Sequence, residues 1–193
     1  MPNFLKAEVD IITRLKNELP ETLMYHSYFH TLDVMNAAME IGDAEKITAE
    51  EQSLLRVAVA YHDSGFVEVY KNHEAKGCEY AKQELPLLDF SEQEIELICG
   101  LIMATKIPQQ PNTKLEKIIA DADLDYLGRN DYNHISHKLF QELQLQDILK
   151  DEDVWRKVQE NFITSHNYHT NFSKQHREPV KRKNLTVITE PIF

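Results

Sequence analysis

The chain has 193 residues, 42% hydrophobic and 27% charged, the balance of a globular chain rather than of a disordered, collagen-like or membrane-spanning one. Surface scaling at this length buries roughly 70% of the unfolded surface, enough for one core and marginal for two, so a single domain over residues 1–193 is expected. Lys and Arg number 21 against 32 Asp and Glu, a net charge of −11, which repels phosphodiester backbones and anionic lipid and argues against a nucleic-acid polymer or a membrane as partner.

Amphipathic periodicity predicts a first helix through Phe4, Leu5, Val9, Ile12 and Leu15, ending near Pro20. Its N-terminus mixes acids and bases and has no apolar stretch of the signal-peptide kind. Leu32, Val34, Met35, Ala38 and Met39 predict a second helix that stops at Gly42. Thr48 to Glu51 is a capping box. The run Leu54 to Tyr61 that follows is apolar on most faces, so it reads as a central buried helix, and it is far too short to span a bilayer. After a turn at Ser64-Gly65, His73 to Leu85 is helical. Ser91 to Glu94 is a second capping box, and it opens a helix carrying Ile95, Ile98, Leu101 and Ile102. Residues 107–113 form a loop. Leu115 to Leu127, Tyr132 to Leu143 and Val154 to Tyr168 complete the helices, with Trp155, Val158, Phe162 and Ile163 as a core-facing stripe. The ending TVITEPIF is β-prone. The fold class expected is all-α, about eight helices in one domain.

Standard nucleotide loops are absent, because neither G-x-G-x-x-G nor G-x-x-x-x-G-K-[ST] occurs. Cys78 and Cys99 make no C-x-x-C and read as free thiols of a cytoplasmic protein. Chemistry concentrates in three places. His26 and His30 are four residues apart and share a helical face. His62-Asp63 ends the most apolar helix, where an ionised carboxylate is costly unless it is paired or binds a metal. Asp121, Asp123 and Asp125 alternate on a short helical stretch, so they cannot all face one centre. Each has a bland reading alone: a half-exposed face, a helix C-cap, an N-cap cluster. Imidazole and carboxylate drawn from separate helices are together what a water-retaining divalent site requires.

Tyr25-His26-Ser27-Tyr28-Phe29-His30-Thr31-Leu32-Asp33-Val34, then Ala60-Tyr61-His62-Asp63-Ser64-Gly65-Phe66, then Ala120-Asp121-Ala122-Asp123-Leu124 resemble the ordered H…HD…D signature of the HD superfamily of metal-dependent phosphohydrolases. The chain is most similar to the small stand-alone bacterial members, which carry a comparable D-A-D-L-x-x-L-G stretch. The resemblance spans about residues 20–130 and leaves about 131–193 as a helical extension. It implies a divalent ion (Mn, Mg, Fe, Co, Ni or Zn) held by His30, His62, Asp63 and Asp121, with Asp123 as the rival to Asp121. It implies a small phosphorylated substrate, a nucleotide among the candidates, cleaved by metal-activated water. His26 is then the candidate proton donor or phosphate contact, and Asp63 a ligand that also engages the attacking water.

His73 stands in an H-x-x-x-G context that two-metal relatives use for a second ion, but the later histidine pair of those relatives is missing near Ala104-Thr105-Lys106. One ion is therefore favoured over two. Lys71, His73, Lys106 and Arg129 lie nearest the motifs in sequence and are the candidates for gathering phosphate charge. The basic stretch Arg177 to Lys183 suits either a pocket cover or a homodimer contact. His166 and His169, spaced i and i+3, read as a solvated helix end ahead of a weak metal pair. The alternative function is a catalytically silent metal-binding HD domain with a regulatory or scaffold role, and an iron-dependent oxygenase is weaker still.

Overall fold

Apolar side chains at three- and four-residue steps, broken by polar caps, fold into ten α-helices and no strand across residues 1–189, the part that the computed structural model describes. They are α1 (Phe4–Glu18), α2 (Tyr28–Ala44), α3 (Ala49–Tyr61), α4 (His73–Glu84), α5 (Glu92–Ala104), α6 (Lys114–Asp123), α7 (Tyr132–Leu145), α8 (Glu152–Ser165), α9 (Asn171–His176) and α10 (Glu178–Thr189). Short 3-10 turns at Ser64–Val67, Leu85–Leu88 and Asp125–Gly128 join them. None of the described helices is long and apolar enough to cross a membrane.

The two expected capping boxes form. Thr48 accepts from the Glu51 N–H at 3.2 Å while Glu51 accepts from the Thr48 N–H at 2.7 Å. Ser91 and Glu94 do the same for α5, and Thr113 with Glu116 adds a third box at α6. Each cap contributes about 1 kcal/mol and fixes where its helix enters the core. As its sequence implies, α3 is the central element: Leu54, Leu55 and every residue from Val57 to Tyr61 are buried. It is packed by α1, α2 and α5, with α6 laid along α2. The main core therefore surrounds the C-terminal end of α3, where His62 and Asp63 follow. Cys78 and Cys99 are free thiols within it.

Some expectations change. Helix α2 runs through Gly42 to Ala44, because Ile47 folds back on that glycine, and the chain turns at Lys46 with φ of 57°. The stretch 115–127 divides into α6 and a 3-10 turn. A smaller cluster made by Tyr25, Leu124, Tyr126, Leu127, Tyr132, Ile163 and Ile188 ties the C-terminal helices to the first core. The helix count exceeds the expected eight through α9 and α10. Residues 186–189 of the β-prone ending close α10, since the buried faces of Lys181 and Ile188 favour helical spacing over strand propensity; 190–193 lie outside the described residues.

Candidate metal centre

The geometry at the end of α3 starts with His62. Its Nδ1 lies 2.7 Å from the Val59 carbonyl oxygen, one turn back. That bond keeps a proton on Nδ1, sets the ring, and turns Nε2 outward as the nitrogen that a metal can take. Asp63 follows at once and leaves the helical conformation. Two glycines let neighbouring backbone close on this corner: a Cβ at Gly65 would stand 2.1 Å from the His73 carbonyl oxygen, and one at Gly77 would stand 2.6 Å from that of Tyr61.

His30 enters from the first turn of α2 and Asp123 from the last residue of α6. His30 Nε2 lies 3.2 Å from Asp123 Oδ1 and 3.5 Å from Asp63 Oδ2. His62 Nε2 lies 3.2 Å from Asp63 Oδ2 and 3.6 Å from Asp123 Oδ1. One ligand atom each from His30, His62 and Asp123 falls within 4.8 Å of the others. His62 Nε2 and Asp63 Oδ2 are fully buried and satisfy no hydrogen bond. Orphaned buried atoms of this kind are costly, and a buried imidazole nitrogen facing a carboxylate oxygen is an arrangement that a shared metal cation satisfies. The donors, two borderline imidazoles and two hard carboxylates from three helices, fit a divalent ion.

Charge is shared tightly. Burial raises Asp63, but the imidazoles of His62, His26 and His30 outweigh it and hold the carboxyl well below its usual range. Asp123 follows the same balance, with burial opposed by the hydrogen bond to His30 and by the neighbouring His62 imidazole, and is lowered to about 2.

The structure corrects the ligand expected from α6. Asp121 is buried but faces away from this group, and its carboxylate accepts from the backbone N–H groups of His169 and Thr170, both at 2.8 Å, and from Thr170 Oγ1 at 2.7 Å. Asp123 takes the place beside His30 and His62. Asp125 is spent on Arg177, at 2.7 Å.

His26 lies beside the group. Its Nδ1 is 2.5 Å from Glu142 Oε1 on α7. The Glu142 carboxylate is wholly buried and also accepts from the backbone N–H groups of Tyr25 and His26 at 2.9 Å and from the Tyr70 hydroxyl at 3.0 Å. Phe66 packs against both His26, with ring centroids 4.3 Å apart, and His73, at 3.8 Å. His73 Nε2 is 3.5 Å from Asp63 Oδ1 and from Glu74 Oε1. These residues border a cavity of about 490 Å³ that continues between α7 and α8.

Of the four candidates for phosphate charge, only His73 lines this cavity. Arg129 is held by Asp33 at 2.9 Å and Asp131 at 3.0 Å, while Lys71 and Lys106 are exposed, Lys106 reaching Asn72 at 3.2 Å. The basic stretch is absorbed too. Arg177 binds Asp125 and Glu40, and buried Lys181 binds the His166 carbonyl and Glu178. His166 is enclosed by Phe162 and Tyr168, and its pKa is lowered to about 4 by burial and by Lys181, so it is no solvated helix end. The expected core stripe on α8 forms a cavity wall, with Ile163 buried but Val158 44% exposed. Glu142, Glu74 and Tyr70 carried no local signal; Glu142 reaches His26 across 116 residues of sequence.

A family model described as HD domain matches residues 28–125, just over half of the chain. The chain belongs to the HD family. The matched span of this HD chain begins with α2 and ends just after Asp123, so it contains all four residues of the cluster. A crystal structure of a predicted HD superfamily hydrolase from an uncultured Thermotogales bacterium superposes with a TM-score of 0.56 at 20% identity, covering 83% of this chain and 91% of the other. That likeness extends the shared HD fold past the matched span into the C-terminal helices. No curated protein matches the sequence.

Proposed function

We propose that this HD protein is a metal-dependent phosphohydrolase cleaving a phosphate ester of a small molecule, with His30, His62, Asp63 and Asp123 holding one divalent ion. The observation that carries the reading is the pair of orphaned buried atoms, His62 Nε2 and Asp63 Oδ2, turned toward His30 and Asp123. When bound, a divalent cation supplies Lewis acidity and charge neutralisation for phosphoryl transfer to water.

The protein's own groups do the rest. Asp63 holds its second oxygen, Oδ1, toward His73, where it accepts a hydrogen bond from the attacking water. Glu142 fixes the His26 Nδ1 proton and leaves Nε2 as the nitrogen that delivers a proton to the departing oxygen. Phe66 holds the His26 ring face, which keeps that nitrogen directed at the cavity. His73 stacks on Phe66 as well, its ring 6.1 Å from that of His26, and is placed to contact a phosphoryl oxygen.

Purified protein supplied with Mn²⁺, Co²⁺, Ni²⁺ or Mg²⁺ is expected to release phosphate from a panel of phosphomonoesters and nucleotides. His62→Ala and Asp63→Ala should lose both the bound metal and the turnover. Undiminished hydrolysis by metal-free Asp63→Ala protein would refute the assignment. Tight metal binding without hydrolysis of any ester would replace it with the silent metal-binding reading.

A further inference from the structure

Resting on the hydrolase reading, we propose that the cleft between α7 and α8 receives the organic group of the substrate, and that this group is uncharged, largely apolar and carried on a single phosphate. The cavity starts at His26, Asp63 and Asp123 and runs on between the two helices. Its volume of about 490 Å³ falls in the range of small-molecule sites, which are mostly apolar with a few placed polar groups. Beyond the His/Asp cluster the wall is mostly carbon, with Leu139, Leu143, Trp155, Val158, Phe162 and Ile163. A helix face that its periodicity marks for a core is left instead against open volume.

The charges in the lining restrict the ligand further. Among the described residues no Lys or Arg lines the cavity, and its carboxylates, Asp63, Glu74 and Asp123, stand at the cluster end. A second phosphate reaching into the cleft would meet apolar wall with no cation to pair it, which is strongly unfavourable. The polar groups of the far wall are few and partly engaged with one another: Gln159 Nε2 donates to the Tyr132 hydroxyl at 2.7 Å and to Ser136 Oγ. A polyhydroxylated sugar would therefore find few partners, whereas an alkyl or aromatic group loses nothing on entry.

Trp155 is the only tryptophan of the chain and lies on this wall, so its fluorescence reports occupancy without turnover. Non-hydrolysable n-alkyl phosphonates, titrated into the Mn²⁺-loaded and the chelator-treated full chain, should shift that fluorescence and bind roughly fourfold tighter per added methylene until the cleft is full. Val158→Phe, at a half-exposed position that tolerates bulk, should end the gain at a shorter chain, and Leu139→Phe provides an independent second test. In turnover, n-butyl phosphate should exceed glycerol 3-phosphate at least fivefold in kcat/KM, the leaving groups both being primary alkoxides. Butyl diphosphate should fall below butyl phosphate despite its better leaving group. Affinity indifferent to tail length, or an unmoved Trp155 signal, overturns the cleft proposal even if every ester is hydrolysed. Phosphonates that bind as expected while no ester is cleaved support the cleft and overturn the hydrolase reading instead.

Discussion

Asp121 and Asp123 stand two positions apart on α6, a rotation of roughly 200° about the helix axis. One therefore faces the chain at 169–170 while the other faces His30 and His62. Asp123→Asn should abolish metal binding, measured by metal content after desalting, with a small effect on folding. Asp121→Asn should keep the metal and lose about 1–3 kcal/mol of stability, because an acceptor is withdrawn from buried donors. Metal loss in Asp121→Asn without metal loss in Asp123→Asn would reverse the assignment. The His26–Glu142 pair makes a pH-dependent prediction. Burial pushes Glu142 up, but the His26 hydrogen bond and charge and the backbone N–H groups of His26 and Tyr25 carry it below its ordinary value. Burial likewise lowers His26, and the Glu142 hydrogen bond with the charges of Asp63, Glu142 and Asp123 carries it above. A depressed carboxyl stabilises the fold above its unfolded pKa and a raised imidazole stabilises it below its own, so the pair is fully present between about pH 4.3 and 6.5. In chelator-treated protein the Tm advantage of the native chain over Glu142→Gln should be greatest in that window. It should shrink above it as His26 loses its proton, and a difference that stayed constant from pH 5 to pH 9 would contradict a charged pair.

Helix α3 and the turn after it show what an element contributes to a site. Gly65 and Gly77 let the 3-10 turn and α4 approach the end of α3, which brings His73, with Glu74 beside it, to Asp63. Gly65→Ala must displace backbone at His73, since the added Cβ would lie 2.1 Å from that carbonyl oxygen. It is expected to cost about 2 kcal/mol or more and to reduce turnover more than stability alone explains, because His73 and Asp63 would shift together; thermal melts and kcat measured side by side check this. At this scale most of the fold was legible beforehand. The boxes at Thr48 and Ser91, the apolar run of α3 and the periodicity of α5 are local signals, and local hydrogen bonding and burial decide them. The HD doublet and His30 are singled out by the family resemblance, and the structure brings them together. Glu142 was not legible, because nothing in the α7 sequence distinguishes a carboxylate that will be buried against residues 25 and 26. The α8 stripe was read as core because periodicity reports an apolar face and not whether another side chain fills the space opposite. The place of Asp121 after Ile119-Ala120 fits the family step, but Asp121 and Asp123 differ in which way they turn, a property of the helix's docking against α2 rather than of the residues themselves.

Across the whole molecule, net negative charge and a tightly shared acidic centre link metal binding to stability. The cluster joins α2, α3 and α6, three helices that also meet in the main core, so a cation held there would bridge elements that separate on unfolding. Ligands from positions 30, 62, 63 and 123 are dispersed in the unfolded chain, and the ion therefore binds the folded state almost exclusively. At a free metal concentration a hundredfold above Kd the linkage is about 2.7 kcal/mol. For a chain of this size that corresponds to a rise in Tm of about 5–11 °C. Melts run with and without Mn²⁺ should show this rise, and chelator should reverse it. His62→Ala should melt at one temperature in both conditions, since it removes the nitrogen aimed at the centre. Glu142→Gln, which touches His26 and none of the four ligands, should retain the full metal-dependent rise while losing turnover, separating the groups that hold the ion from the group that sets the proton donor. A metal-dependent rise that persisted in His62→Ala would place the ion elsewhere in the molecule.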